Sequence, residues 1–173
     1  MGYYRFLDNE RVSVSELVRS VSSHCQTQVQ ERHVLAISDT SEINLQAHLG
    51  RIDREGVGVV GNDRDLGFFI HPTLVLDGSS GFPLGISHVQ LWSRPVEHLS
   101  KRARRYKALP IEEKESFKWL ESAIRNGRCL EAGGASLVTH IGDREADIYE
   151  EWVRVPSRGH HVLMRACRDR AIA

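Results

Sequence analysis

Hydrophobic residues return along this chain at two periods, and the switches between them mark its elements. Val14, Leu17, Val18, Val21, Cys25 and Val29 keep helical spacing. Ser13-Val-Ser-Glu16 at their start has the hydroxyl and the glutamate of a capping box, so a helix is predicted from about 14 to 30. Residues 33–38 are a short β-rich run that ends in Asp39. Residues 50–65 are rich in glycine and charge and predict a loop. Two strand-like runs, 66–76 and 82–92, flank the turn chemistry of Asp77-Gly-Ser-Ser-Gly81 and predict an antiparallel hairpin. After a polar, basic connection, Pro110, Glu112 and Glu113 mark a helix start and Asn126-Gly127 its end, with Ile111, Phe117, Leu120 and Ile124 as the apolar stripe. Residues 137–141 form a strand ending before Asp143. A helix follows directly, with Ile148, Tyr149, Trp152 and Val153 on one face, and 161–164 form a last strand.

The hairpin should lie beside the 33–38 strand, and 137–141 should pair with that strand in parallel. The result is an α/β protein with a mixed sheet. The ribonuclease-H-like fold is the best-known sheet of this kind with strand-end carboxylates.

Those carboxylates are the candidate chemistry. Val34-Leu-Ala-Ile-Ser-Asp-Thr40 and Ala135-Ser-Leu-Val-Thr-His-Ile141, the latter followed by Gly142-Asp143, are two apolar strands that each run into an aspartate. Aspartates at strand ends sit where a sheet presents its functional edge. Two of them can hold Mg²⁺ or Mn²⁺, a hard cation satisfied by a few carboxylates with water and phosphate oxygens, and so serve phosphodiester chemistry. Each could equally cap a turn or a helix, the ordinary use of an aspartate in that position.

Charge and composition narrow the classes. The 173 residues carry 23 basic and 23 acidic side chains, and this balance counts against a strong nonspecific nucleic-acid binder. Lys101, Arg102, Arg104, Arg105 and Lys107 are nonetheless concentrated in one short stretch, while acids outnumber Arg144 around Asp143. An acidic pocket beside a basic rim fits an enzyme that needs cations at its centre and phosphates at its edge. No apolar run approaches the roughly 20 residues of a membrane span. Cys25, Cys129 and Cys167 are scattered and odd in number, as expected in a reducing, cytoplasmic setting without a zinc site.

Ala36-Ile-Ser-Asp-Thr-Ser41 and Val138-Thr-His-Ile-Gly-Asp-Arg-Glu-Ala-Asp-Ile-Tyr149 resemble the two aspartate motifs of DDE transposases, in particular the insertion-sequence cut-and-paste group that includes the transposase of transposon five. Tyr4-Arg-Phe-Leu-Asp-Asn9, Gly67-Phe-Phe-Ile-His71, Glu113-Lys-Glu-Ser116 with Lys118-Trp119, and Val162-Leu-Met-Arg165 extend the likeness in order along nearly the whole chain. The resemblance implies a ribonuclease-H-like catalytic core over 33–173, preceded by a helical remnant of the N-terminal region over 1–32. It implies Asp39 and Asp143 as catalytic metal ligands for Mg²⁺, with Mn²⁺ possible. DNA, as transposon ends, is the implied partner, contacted by Arg165 and by the Lys101–Lys107 cluster.

The family also needs a third acid, a glutamate on a late helix in a Tyr-Arg-Glu type motif, and no such motif occurs here. Glu145, Glu150 and Glu151 follow Asp143 too closely to replace it. The expectation is therefore a transposase fragment without that helix, inactive in transposition alone and not expected to form the family's homodimer. A metal-dependent nuclease of the same fold and a noncatalytic remnant are the alternatives. His71 reads as a core or edge residue, His140 as a neighbour of the metal pocket, and His160-His161 as too short for a metal site. Asp147 reads as an acid placed by the helix dipole.

Overall fold

The structure, a computed structural model, describes residues 2–7, 9–52, 57–61, 63–96, 106–167 and 169. It is an α/β fold around a mixed sheet of seven strands. The first helices are α1 (Gly2–Leu7) and α2 (Val14–Gln26). The strands are β1 (His33–Ser38), β2 (Ser41–Asn44), β3 (Gly58–Val59), β4 (Leu66–Asp77), β5 (Pro83–Trp92), β6 (Leu137–Gly142) and β7 (His160–Met164). Helix α3 (Phe117–Ala132) precedes β6, and α4 (Tyr149–Arg154) separates β6 from β7.

β4 and β5 form the expected antiparallel hairpin. β4 pairs antiparallel with β1, β1 pairs in parallel with β6, and β6 in parallel with β7. On β4 the odd-numbered residues Phe69, His71, Thr73, Val75 and Asp77 are buried, the period of two that a half-covered strand requires. Val34 and Ala36 of β1, Val75 of β4 and Val138 of β6 meet Cys25 at the end of α2, Val29 just beyond it and Leu130 of α3 in the main core. Cys25 and Val29 thus contribute to the same core as the sheet. A second cluster, Leu120, Ala123 and Val155 with Phe117, Ile124, Ile148 and Val162, joins α3 to α4 and β7.

Several expectations change. Ser13 caps α2 as predicted, accepting from the Glu16 N–H, but the helix stops at Gln26 and only its C-terminal end docks; Val14, Leu17 and Val21 remain exposed. Within 50–65, Gly58 and Val59 form β3 against β4, and Val59 and Val60 are buried. Pro110 opens only a 3-10 turn, Ile111–Glu113, and α3 begins at Phe117. Asn126-Gly127 does not end α3. Asn126 is fully buried and Gly127 lies against the His160 ring, where an added Cβ would come within 3.0 Å of Cε1. Both residues therefore serve packing inside the helix. After Asp143 comes a 3-10 turn, Arg144–Ala146, before α4. That turn rotates the helix, so Tyr149, Trp152 and Val153 are exposed and Glu151 with Val155 face inward. No helix among the described residues is long and apolar enough to cross a membrane.

Candidate functional site

Asp39 directly follows β1 and Asp143 directly follows β6. The parallel register sets Ile37 beside Ile141, and carried two residues further it sets Asp39 beside Asp143. Both aspartates line one open cleft of about 600 Å³, together with Thr40, Phe69, Arg94, Lys118 and Trp119. A side chain at Gly142 would collide with Ala146 and press on the Trp119 ring, so glycine is what permits the chain to turn there into Asp143.

Each aspartate is lightly bonded. Asp39 Oδ1 accepts from the Thr40 N–H at 2.8 Å, and Asp143 Oδ1 accepts from the Glu145 N–H at 2.8 Å. Among the described residues no donor reaches Oδ2 of either and no cation pairs with either. Three other acids lining the cleft are committed. Glu115 holds Arg94 through both carboxylate oxygens, at 2.8 and 3.0 Å from Nη2. Glu145 meets Lys118 at 3.2 Å. Asp147 is buried and accepts from the Trp152 indole at 2.9 Å and the Cys167 N–H at 2.8 Å, so it acts as a structural acceptor as well as an acid near a helix start.

The cleft floor is aromatic. His71 is fully buried, with Nδ1 paired to the Thr40 hydroxyl at 2.8 Å and its ring edge-on to Trp119 at 4.6 Å. Burial, then the nearby Lys118 charge, pushes its pKa down to about 4, so it is a neutral core histidine. Below Asp39, Ser38 Oγ and Thr73 Oγ1 are 2.7 Å apart, Asn126 donates to Thr73 at 2.7 Å, and Ser87 donates to Asn126 at 2.8 Å. This buried chain ties α3 to the residue preceding Asp39.

The remaining candidates fall elsewhere. His140 does not line the cleft; its Nε2 pairs with His160 Nδ1 at 3.0 Å, and His160 Nε2 pairs with Glu131 at 2.7 Å. Burial, with His160 adding to it, holds the His140 pKa down to about 3. Arg165 is exposed just past β7, its main-chain N–H on the Gly142 carbonyl at 3.3 Å, so its backbone borders the Asp143 turn. Lys101, Arg102, Arg104 and Arg105 lie outside the described residues, and Lys107 belongs to a 3-10 turn, Tyr106–Ala108, whose Tyr106 lines the cleft. Arg94 carries no signal of its own in the sequence. Only Lys118-Trp119 carried a signal, as part of the transposase resemblance.

Among the described residues no group of three or more His, Cys, Asp and Glu side chains is placed to hold a metal ion. The aspartate pair offers two carboxylates, each with one oxygen free of described donors, and Glu42 is a further acid lining the cleft. The pair fits Mg²⁺ or Mn²⁺ only with water or phosphate oxygens completing the shell. No known protein family matches the chain by its sequence profile.

Proposed function

We propose that the cleft serves metal-dependent phosphodiester chemistry on DNA, in the manner of a transposase catalytic core with a ribonuclease-H-like sheet. The carrying observation is the pair Asp39 and Asp143 at the ends of adjacent parallel strands, in one cleft, without a cation partner among the described residues. The strand order β5-β4-β1-β6-β7, with the first three antiparallel and the last two added in parallel, supports the ribonuclease-H-like reading. Mg²⁺ bound by the two aspartates would supply charge for the attacking and leaving oxygens. The protein's own part is to fix both carboxylates through the Thr40 and Glu145 N–H groups and to present Lys118 toward phosphate.

A noncatalytic DNA-associated role is the second reading, favoured by the commitment of Glu115, Glu145 and Asp147 to other partners. Calorimetric titration with Mn²⁺ tests the first reading. Weak binding is expected in the parent chain and none in Asp39→Ala or Asp143→Ala; equal binding in all three would refute it. Transposon-end cleavage separates the readings, and without the glutamate that the resemblance requires the chain alone is expected to show none. The Mn²⁺ titration, not the cleavage assay, therefore decides whether the site is built for a cation.

A further inference from the structure

Lys118 is the anomaly of this cleft. Its side chain is only 10 % exposed, and its ammonium lies over the rings of Trp92 and Trp119, at 5.3 and 5.8 Å from their centroids. Its ion-pair partner, Glu145, is 67 % exposed and stands on the turn after Asp143. A buried ammonium loses most of its hydration, whereas a pair with a largely solvated carboxylate returns little. The surroundings are also short of acceptors. The indole N–H groups of Trp92 and Trp119 and Nε2 of His71 are buried without partners among the described residues, and Trp119, only 2 % exposed, lines the cleft itself. A cation held by two rings, beside unsatisfied N–H donors and on the wall that carries Asp39 and Asp143, is a place prepared for an anion.

Resting on the phosphodiester reading above, we propose that Lys118 is the residue that holds a phosphate of the nucleic-acid backbone in this cleft, and that Glu145 is an internal stand-in which that phosphate displaces. The exchange is chemically matched: a carboxylate oxygen 3.2 Å from Nζ gives way to a phosphate oxygen, and no bond is made or broken. Because Glu145 also supplies the N–H that fixes Asp143 Oδ1, its turn links the arriving phosphate to the aspartate's orientation. Lys118 is thus a binding residue, and Glu145 a competitor for it.

The two residues should act with opposite sign. Anisotropy with a fluorescent 20-base-pair DNA duplex, in EDTA so that no divalent metal contributes, is expected to show Lys118→Met weakening binding by roughly tenfold. The same variant should make the slope of log affinity on log salt shallower by about one. Glu145→Gln is expected to tighten binding about two- to fivefold. The indole N–H resonance of Trp119, one of three tryptophans, should shift on duplex addition in the parent and in Glu145→Gln. Glu145 is exposed, so its variant keeps the test decisive even where Lys118→Met fails to fold. Unchanged or weaker binding in Glu145→Gln, or a Trp119 resonance that the duplex does not move, overturns the proposal. A parent chain that binds duplex but no Mn²⁺ leaves this proposal standing and removes the metal reading. A parent that binds no duplex removes this proposal, while the metal reading stands or falls by the Mn²⁺ titration.

Discussion

Two ends of one sheet carry strand-end aspartates in opposite conditions. At the hairpin end Asp77 is 4 % exposed and accepts from five donors: the Ser79 and Ser80 N–H and hydroxyl groups, and Arg32 at 2.7 Å. Arg32 first, and the serines after it, hold its carboxyl well below the usual range. At the other end Asp39 and Asp143 are exposed, and each accepts one described main-chain N–H. The same residue type at a strand end is in one place a saturated turn anchor and in the other a pair of half-used acceptors. Position at a strand end does not separate the two uses; the number of donors does.

The comparison can be broken from below the cleft first. Asn126→Leu removes its bonds to Thr73 and Ser87, leaving the buried Ser87 hydroxyl without its partner and the Thr73 hydroxyl with Ser38. A loss of about 2–5 kcal/mol in denaturant unfolding is expected, with weaker Mn²⁺ binding if Ser38 loses its hold on the Asp39 end. Glu151 comes next. It is 3 % exposed with Oε2 unpartnered among the described residues, and burial pushes its pKa up to about 8. The folded state keeps the proton between the unfolded value near 4.5 and about 8, so stability falls as pH rises through that window. Glu151→Gln should stabilise the chain at pH 8 by an amount on the order of a few kcal/mol and scarcely at pH 4, read as Tm against pH.

At the hairpin end Asp77→Ala should lower Tm by several degrees at neutral pH. The parent, whose Asp77 pKa is depressed, should lose that contribution only as pH falls below about 4, the unfolded carboxylate value. The variant's thermal stability should be flatter there. The smallest effect on stability is expected from Asp39→Asn and Asp143→Asn, within about 0.5 kcal/mol of the parent, since neither carboxylate anchors the fold. A loss as large as that of Asp77→Ala would place both in the structural class and end the contrast.

Much of this was legible because it is periodic or local. The hairpin was marked by its turn residues, α2 by Ser13 and Glu16, and the two aspartates by the apolar runs before them. Long-range contacts were not legible. Asn126-Gly127 has the chemistry of a helix end, yet Thr73, Ser87 and the His160 ring require those residues in the middle of α3. The α4 stripe failed because a 3-10 turn of three residues shifts the helical phase. The sites of Lys118 and Arg94 are not legible because their surroundings, Trp92, Phe69 and Glu115, come from distant segments.

The parallel pairing of β1 with β6 has a consequence for the time course of folding. The hairpin joins neighbouring stretches, whereas the strands bearing Asp39 and Asp143 are brought together across wide gaps, His33 and Thr139 being 106 positions apart. Closing so long a loop is entropically unfavourable until much of the chain is already compact. The hairpin and β1 should therefore assemble early and the β1–β6 seam late, with substitutions at Val138 mainly accelerating unfolding and those at Val75 slowing folding. On that ordering the cleft does not exist in partly folded chains, and the two negative charges meet only after the scaffold that must tolerate their repulsion is in place.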